Sequence, residues 1–500
     1  MNKRRCAVHL KDDARQLLDR MDRQAMSGTA YDTAWVVRVL SNNGCSGPAY
    51  PSALDWLRRA QYPNGSWGGR IAYYHDLIIS TLAAIVALAE RGDRSRDREA
   101  IRRGEQYIHQ HIHFLHYDSS ETVGFELILP TLLEEARCLN LDLPYHVCEK
   151  YKAIRAVKLR LIPEQLIYSR GVTSTHSLEF MGNDLDIDRA DELQEENGSL
   201  GNSSSATAYF LNRCGDNPSA RRYLRDILMD NGGTAMPAHP IEIFNKGWVL
   251  YNLALAGLLD DLAAHAKPHL DALYAAWDDE SGVGFSETYS VPDLDDTALV
   301  FKLLYQSRYD VNPEVFTSYE RESHFMCYPY ERNPSIGAHI HLLDALRVCP
   351  SYGRRTAMME KALQFCRSRL RVAHWFDKWH VSPYYTLSHA IIAAIGHDNE
   401  LAREMLHCLI AAQRQDGSWG YFGPSSEETA YCLQALALYH REVAALRPAI
   451  FHHAAQYLYE RYHLQIYPAL WIEKCLYTPQ HIVRSAIISA LSLYESIGSN

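Results

Sequence analysis

Long clusters of positive charge are missing from this sequence. Its 50 lysines and arginines are outnumbered by 60 aspartates and glutamates, which leaves a formal charge of −10. No extended Lys/Arg block occurs anywhere along the chain. Proteins that bind nucleic acids through their phosphates carry a basic patch or stripe. The composition therefore predicts no nucleic-acid partner.

Closely spaced cysteines are missing as well. The chain has eleven cysteines, but they form no C-x-x-C pair and none of the spacings that bind zinc. Scattered cysteines of this kind are typical of reduced thiols, so the sequence predicts a cytoplasmic protein. The positions are Cys6, Cys45, Cys138, Cys148, Cys214, Cys327, Cys349, Cys366, Cys408, Cys432 and Cys475.

A long hydrophobic run is also absent. The longest apolar stretch, Leu77 to Ala89, is interrupted by Ser80 and Thr81 and is shorter than a helix that spans a bilayer. Residues 1–24 keep returning to charge where a signal peptide has an apolar centre. We therefore expect neither a signal peptide nor an integral membrane segment.

The chain does show helical periodicity. Hydrophobic residues make up 47% and charged residues 22% of its 500 residues, a balance typical of a folded globular protein. Apolar positions recur at helical spacing in segments such as 76–90, 428–443 and 484–497, whereas alternating runs are scarce. The sequence predicts an all-α fold.

A short motif occurs twice, and a degenerate copy occurs once. QYPNGSW (61–67) and QRQDGSW (413–419) share the pattern Q-x-x-[ND]-G-x-W, and QEENGSL (194–200) lacks the tryptophan. Asn or Asp before Gly is typical of a tight turn, the Gln amide can bond to backbone at a neighbouring helix end, and Trp can pack over the junction. Copies in both halves of the chain favour two related α-helical barrels.

Three aspartates precede a helical segment in SETYSVPDLDDTALVFKLL (286–304). One or two of Asp293, Asp295 and Asp296 can cap the helix and interact with the positive end of its dipole. Three carboxylates within this motif exceed what capping uses, and their mutual repulsion favours one that stays protonated in a poorly solvated site. A neutral Asp in an apolar cavity can protonate an alkene or an epoxide. The residues alone leave both interpretations open.

The combination of D-x-D-D with Q-x-x-[ND]-G-x-W repeats resembles the class II terpene cyclases, and most of all the bacterial class II diterpene cyclases that make halimadienyl, kolavenyl or copalyl diphosphate. Matching segments include TAYDTAWV (29–36), DKWHVSPYYT (377–386) and PALWIEKCLYTP (468–479). The resemblance implies two (α/α) barrel domains, β and γ. On this basis we predict the first β-domain helix in residues 1–25, an inserted γ domain in 26–264, and the rest of β, carrying D-x-D-D, in 265–500.

The resemblance also implies roles for the acids. Asp295, the middle acid of D-x-D-D, would donate the proton that starts cyclisation. Asp293 and Asp296 would orient Asp295 and hold its charge. A further asparagine, which helps to position the acid in relatives, falls at His339 in GAHIH (337–341).

The base that ends the reaction is only half matched. In copalyl-type relatives a His–Asn pair acts through water, and His176 in THSLEF matches the histidine. The asparagine position falls at about Met236 or Pro237, where no amide is present. Because half of the base is absent, we expect a longer-lived cation and a rearranged halimane or clerodane skeleton rather than a simple labdane.

Diphosphate binding is the third implied feature. The lysines that bind the diphosphate in relatives match Lys158 in KLRLIP and Lys378 in DKW, and lysine suits this role as a point charge. Mg²⁺ accompanies the diphosphate in the family, near an acidic motif of which only Asp76 remains here. No D-D-x-x-D motif with its downstream partner occurs, so the diphosphate would be retained.

Aromatic residues are plentiful, at 11% of the chain with 32 tyrosines and 9 tryptophans. Ring faces stabilise cations by roughly 0.5–2 kcal/mol each, although most aromatic side chains serve only to fill helical cores. Trp248, Tyr384 and Tyr385 are our candidates for contact with the substrate.

Together these features predict a cyclase that protonates geranylgeranyl diphosphate and releases a bicyclic diphosphate, with Mg²⁺ as cofactor and a downstream class I terpene synthase as a partner. One alternative is the same chemistry on farnesyl diphosphate, giving a drimane-type product. Another is an inverting (α/α)-barrel glycosidase, which requires separated carboxylates across an open polar groove. A third is a helical-barrel binding module without enzymatic activity, favoured if Lys158, Lys378 and the acids lie on separate faces.

Overall fold

A computed structural model describes residues 3–21, 26–41, 47–93, 95–370 and 376–497. Over these ranges the protein is mainly helical with one small two-stranded sheet, which confirms the all-α prediction. None of the helices in these ranges is both long and apolar enough to cross a membrane.

The helices are numbered in chain order. The N-terminal helix α1 is Lys3–Leu18. It is followed by α2 (Ala30–Val37), α3 (Pro51–Arg59), α4 (Tyr74–Arg91), α5 (Arg98–His111), α6 (Phe125–Cys138), α7 (Tyr145–Leu161), α8 (Glu164–Ile167), α9 (Ile187–Ala190), α10 (Ser204–Cys214) and α11 (Pro218–Asp230). The second half contains α12 (Glu242–Leu255), α13 (Leu258–Asp261), α14 (Ala263–Ala275), α15 (Leu294–Gln306), α16 (Ile336–Leu346), α17 (Arg355–Leu370), α18 (Pro383–Ala394), α19 (Asn399–Ala411), α20 (Ser426–Glu442), α21 (Pro448–Arg461) and α22 (Gln480–Ile497). Short 3-10 segments are Ile112–Tyr117, Thr173–Met181, Asp191–Leu193 and Pro313–Thr317.

Two closed rings of helices organise these elements. In the first, α2, α4, α6, the 3-10 segment Thr173–Met181 and α10 contact one another in turn, and α3, α5, α7 and α11 pack outside them. In the second, α12, α15, α16, α18, α20 and α22 close a ring, with α14, α17, α19 and α21 outside. Inner and outer helices alternate over most of the chain, as expected for (α/α) barrels. This arrangement confirms the predicted two-barrel architecture.

The packing also bears on the domain boundaries. Helix α1 contacts α22 and α14, which belong to the second ring. Helix α12 lies in that ring too, so we assign the crossover between barrels to the segment before Glu242 rather than to the predicted 264/265, which falls inside α14. The predicted boundary at 25/26 adjoins residues 22–25, which lie outside the described residues.

The repeated motif forms the joints between inner and outer helices. Gln61 Nε2 donates to the carbonyls of Gly65 and Ala100, at 3.0 and 2.9 Å, and Trp67 Nε1 donates to Leu57 O at 2.7 Å. Gly65 has φ of +95°, and a Cβ there would meet the backbone of Arg103, so only glycine fits. Equivalent bonds recur at Gln413, Gly417 and Trp419, and at Gln194 and Gly198.

A β-hairpin from the second half of the chain reaches the first barrel. Strands β1 (Trp471–Ile472) and β2 (Leu476–Tyr477) pair antiparallel, with Glu473 and Lys474 at the tip. The Val123 N–H donates to Glu473 O at 2.9 Å, so the tip touches the segment before α6. The hairpin therefore lies where the two barrels meet and forms part of the cavity described below.

Candidate active site

A cavity of about 440 Å³ lies between the two barrels. Residues of the first barrel, of the loops around α15 and α16, and of the hairpin all contribute to its wall. Most of the wall is apolar or aromatic, and its larger side chains are Leu127, Phe180, Phe244, Phe285, Tyr289, Tyr328, Trp379, Trp471 and Tyr477. Ligand sites of this size with few polar groups are typical of pockets for apolar small molecules.

The D-x-D-D motif lies at the N-terminus of α15 and lines this cavity. Asp293 is the N-cap, since its Oδ1 accepts the N–H of Asp296 at 2.8 Å. Asp295 and Asp296 belong to the first turn, where the helix dipole favours carboxylates. The capping interpretation is therefore correct for Asp293, and the same geometry holds all three acids against the cavity.

Asp295 is held by a histidine from the next inner helix. Asp295 Oδ1 lies 2.6 Å from His341 Nδ1 on α16, and the Asp295 side chain is 16% exposed. His339, which sequence matching put in the positioning role, instead accepts the N–H of Phe325 at 2.9 Å and bonds to Ser335 O at 2.6 Å. The partner of the acid is His341, two residues further along.

The cluster holds protons more tightly than isolated aspartates do. Burial, reinforced by the charge of Asp295, raises the pKa of Asp293 to about 7. Burial, with the charge of Asp293, raises the pKa of Asp296 well above its usual range. Burial alone would lower the pKa of His341, but the facing Asp295 outweighs it and raises that pKa. At neutral pH the site therefore carries fewer negative charges than three carboxylates would.

His176 also lines the cavity. Its Nδ1 donates to Gly201 O at 2.6 Å, and its Nε2 lies 2.7 Å from Glu473 Oε1 at the hairpin tip. At the predicted asparagine position, Met236 has no side-chain amide, and its backbone O accepts a bond from Ser204 Oγ at 2.6 Å. The structure thus pairs His176 with a carboxylate from the hairpin.

A buried lysine fixes this arrangement. Lys474 is fully buried, and its Nζ donates to His176 O at 2.8 Å, to Ser203 Oγ at 2.6 Å and to Ser205 Oγ at 2.5 Å. It also lies 3.1 Å from Glu179 Oε1. These contacts tie the hairpin tip to the first barrel and so set the position of Glu473.

The two predicted diphosphate lysines are both paired with glutamates. Lys378 lines the cavity, forms an ion pair with Glu331 and donates to Asn333 O at 2.9 Å; burial lowers its pKa to about 8. Lys158 forms an ion pair with Glu126 outside the cavity wall and is 41% exposed. Burial lowers the pKa of Lys158, and the charge of Arg332 acts in the same direction.

Arg332 therefore lies near Lys158, in the loop that also carries the partners of Lys378. Glu331 pairs with Lys378, and Asn333 accepts its hydrogen bond. The loop thus holds Lys378 at the cavity wall. Of these cations only Lys378 lines the cavity, and an ammonium group there can bind an anionic ligand once its carboxylate partner is displaced.

Asp76, the predicted magnesium ligand, does not fit that role. It is fully buried, and its carboxylate already accepts hydrogen bonds from Gly69 N at 2.6 Å, Leu476 N at 3.0 Å and Ser80 Oγ at 3.2 Å. Burial raises its pKa to about 6. Over the described ranges, no group of three or more metal-ligating side chains occurs. Asp76 holds strand β2 against the first barrel.

The three predicted aromatic contacts lie behind or away from the cavity wall. Trp248 is fully buried and packs edge-on against His341, with ring centroids 5.0 Å apart. Tyr385 is buried and stacks on His380 at 4.5 Å, and Tyr384 is partly exposed at the start of α18. None of the three is among the described residues that line the cavity. Rings that do line it include the Phe285–Tyr289 stack, with centroids 4.2 Å apart.

Sequence reasoning missed two side chains that the fold brings to the site, His341 and Glu473, and it did not single out Arg332, which is exposed and does not line the cavity. GAHIH contains two histidines two residues apart, which face different directions on a helix. The pattern therefore indicated that one of them could contact the acid, but spacing alone could not tell which. Glu473 falls in PALWIEKCLYTP, a segment noticed only as a match. Arg332 has no local signal at all.

Comparisons with known proteins extend over the whole chain. No family model matches it. A type B diterpene cyclase from Mycobacterium tuberculosis is 34% identical over 493 residues, covering 94% of this chain and 96% of that protein. The solved structure of ent-copalyl diphosphate synthase from Streptomyces platensis superposes with a TM-score of 0.79 at 25% identity, covering 97% and 99% of the two chains. Chloroplastic ent-copalyl diphosphate synthase from Arabidopsis thaliana is 34% identical over 324 residues, 63% of this chain but 39% of its own length.

Proposed function

The chain belongs to the class II diterpene cyclases, and from this premise we propose that it cyclises geranylgeranyl diphosphate to a bicyclic diterpenyl diphosphate. Family membership removes the glycosidase and the binding module as interpretations. The mostly apolar cavity also disfavours a glycosidase, whose sugar substrate needs a polar groove. A mostly apolar pocket lined by an acid motif and a lysine suits a chain of isoprene units that ends in a diphosphate.

The observation that carries the proposal is the geometry of Asp295. His341 bonds to Oδ1, so the acid form of Asp295 presents its proton from Oδ2 towards the cavity. The O–H bond breaks, the π electrons of the terminal C=C form the new C–H bond, and a tertiary cation results. Further π bonds attack in turn to close two rings.

His341 and the neighbouring acids would act on the carboxylate that Asp295 becomes after proton transfer. While Asp295 holds its proton, the negative charge that raises the pKa of His341 is absent, so His341 is neutral and donates from Nδ1. That donor stabilises the carboxylate left after proton transfer, since hydrogen bonds to charged groups are the stronger kind. Protonated Asp293 and Asp296 add no repulsion to that new charge. Asp295 is thus the proton donor, and the other groups act through it.

Lys378 on the cavity wall would hold the diphosphate, with Lys158 and Arg332 outside that wall as further cations. The ion pairs to Glu331 and Glu126 would open as phosphate oxygens replace the carboxylates. No residue in this scheme ionises the C–O bond, so the diphosphate remains on the product. Mg²⁺, the cofactor that the resemblance implies, has no ligand in Asp76, and no step of the scheme passes through it.

The product still carries its diphosphate. The proposed downstream partner is therefore a class I terpene synthase, which ionises that group. A cytoplasmic location is also part of the proposal. It is supported by the nine free cysteines of the described residues; the side chains of Cys6 and Cys45 lie outside that part of the chain.

Product analysis of the purified protein tests this function. We expect turnover of geranylgeranyl diphosphate with Mg²⁺ to give, after phosphatase treatment and mass spectrometry, a bicyclic C20 alcohol of halimane, clerodane or labdane skeleton. Asp295→Asn should abolish turnover and retain the fold. Asp310→Asn, the same change at an exposed acid beyond the other end of α15, should leave turnover intact. Turnover of farnesyl diphosphate alone would favour the drimane alternative, and activity in Asp295→Asn would refute the scheme.

A further inference from the structure

The pairing of His176 with Glu473 restricts where protons can reside. A carbonyl oxygen can only accept, so His176 must donate from Nδ1 to Gly201 O. Its Nε2 lies 2.7 Å from Glu473 Oε1, a distance at which two acceptors would repel each other unless one proton lies between them. His176 is therefore a donor to both neighbours when Glu473 is ionised, and it has no free lone pair with which to act as a base.

Glu473 is built to stay ionised. Its Oε2 accepts the N–H of Lys474, and its Oε1 faces His176. Burial alone would raise the pKa of Glu473, but His176 and Lys474 outweigh it and hold that pKa below its usual range. The side chain keeps 13% of its surface exposed and lines the cavity. A carboxylate thus faces the space in which a carbocation would form.

The other carboxylates of the cavity wall have different roles. Among the described residues, burial raises the pKa of Asp293 to about 7 and that of Asp296 well above its usual range, Asp295 is the donor, and Glu331 is paired with Lys378. Glu473 is the one that remains, and it comes from the hairpin rather than from α15. The stacked rings of Phe285 and Tyr289 lie within 6.2 and 6.3 Å of the His176 ring centroid, so aromatic faces border the same region.

We propose that Glu473 is the base that ends the cyclisation, with His176 as its positioning residue; this inference rests on the proposed function. In the final step a C–H bond next to the cationic carbon breaks, its electron pair forms the C=C bond of the product, and the proton passes to the Glu473 carboxylate. Asp295 has lost one proton and Glu473 has gained one. Exchange of both with solvent restores the resting state, and the overall reaction is an isomerisation.

This assignment predicts a separation of substrate consumption from product identity. Glu473→Gln keeps the size and a hydrogen bond to the hairpin but removes the basic oxygen. Proton donation by Asp295 is untouched, so geranylgeranyl diphosphate should still be consumed. The cation then persists and is quenched by loss of other protons or by capture of water. Because a positioned base contributes at least about 100-fold, formation of the wild-type product should fall by about that factor while consumption falls much less.

The experiment compares wild type, Glu473→Gln, Asp295→Asn and Glu195→Gln with geranylgeranyl diphosphate, and quantifies each dephosphorylated product by gas chromatography and mass spectrometry. Glu195 is a matched control: a buried glutamate of the first barrel that bonds to Ser290 Oγ at 2.9 Å and does not line the cavity. We expect isomeric alkenes or hydroxylated products from Glu473→Gln, the wild-type product from Glu195→Gln, and none from Asp295→Asn.

Two results would overturn the inference. One is a Glu473→Gln enzyme that makes the wild-type product in the wild-type ratio, whether at full or reduced rate, since a purely structural role lowers all products together. The other concerns Glu473→Asp, which keeps the carboxylate but moves it back by one methylene. This variant tests the inference if Glu473→Gln does not fold. An unchanged product ratio in Glu473→Asp counts against the base, and a shifted ratio supports it. A wild-type enzyme that leaves geranylgeranyl diphosphate untouched would remove the proposed function, and this inference with it.

Discussion

Replacing His341 by phenylalanine isolates the contribution of one hydrogen bond to the strength of the acid. His341 Nδ1 lies 2.6 Å from Asp295 Oδ1, and its ring meets those of Trp248 and His389 edge-on, at 5.0 and 5.3 Å between centroids. Phenylalanine fills much the same volume and keeps these contacts. It cannot donate to the carboxylate that forms when Asp295 gives up its proton.

The expected loss follows from the charge of that carboxylate. A hydrogen bond to a charged group contributes about 1.5–3 kcal/mol, and about 1.36 kcal/mol of transition-state energy corresponds to a tenfold rate change. Since the transition state already carries most of the new negative charge, kcat should fall roughly 10- to 150-fold. His341 Nε2 is buried without a partner among the described residues, so removing it should not reduce the free energy of unfolding by more than about 1 kcal/mol.

The assay is steady-state turnover of geranylgeranyl diphosphate alongside thermal unfolding. His389→Phe is the matched control, because His389 is an equally buried histidine of the same aromatic cluster whose two ring nitrogens have no partner within the described part of the chain. Its kcat should stay within about threefold of wild type, as for most substitutions outside a functional contact. A folded His341→Phe enzyme with wild-type kcat would refute the role assigned to this bond.

Three further changes probe the remaining groups. In the wild type we expect kcat to fall as pH rises through about 7, because burial raises the pKa of Asp293 to about 7 and its charge above that pH opposes formation of the Asp295 carboxylate. Asp293→Asn keeps an N-cap and should abolish this fall. A pH–rate profile of both proteins checks this, and an identical alkaline limb contradicts it. Lys378→Ala should raise KM by about tenfold or more. The wild-type KM should also rise above about pH 8, because burial lowers the pKa of Lys378 to about 8 and the ammonium loses its charge there. A wild-type KM that stays flat between about pH 7 and 9 would count against diphosphate contact. Asp76→Asn should lower Tm, because an amide accepts fewer of the three hydrogen bonds, yet leave the Mg²⁺ concentration for half-maximal rate unchanged; a shifted Mg²⁺ titration would restore Asp76 as a ligand.

Motifs that act within a few residues were predictable from the sequence. Apolar spacing indicated helices, the Q-x-x-[ND]-G-x-W copies indicated barrel joints, and the bonds of Gln61 and Trp67 agree with the roles inferred for those side chains. The two interpretations of the acidic motif, helix capping and a place in a cavity, also agree with the structure, since Asp293 both caps α15 and lines the cavity. In each case the physical cause lies in one turn or one helix end.

Choices between neighbouring residues were harder. His339 and His341 are two positions apart on α16, so they point about 200° away from each other at about 100° per residue. Matching by sequence selected His339, whereas the packing of α16 against α15 turns His341 towards Asp295. Trp248 and Tyr385 illustrate the same limit, because an aromatic residue on an inner helix can face the cavity or the core behind it.

By itself the sequence determined the helical class, the barrel joints and the identity of the acid motif, because each follows from backbone preferences and spacing along a single segment. Only the tertiary structure decided which groups meet across segments. Glu473 reaches His176 over 297 residues of chain through a hairpin that Lys474 and Asp76 hold in place. Which side chains meet across the two barrels depends on how the barrels pack, and no local pattern encodes that.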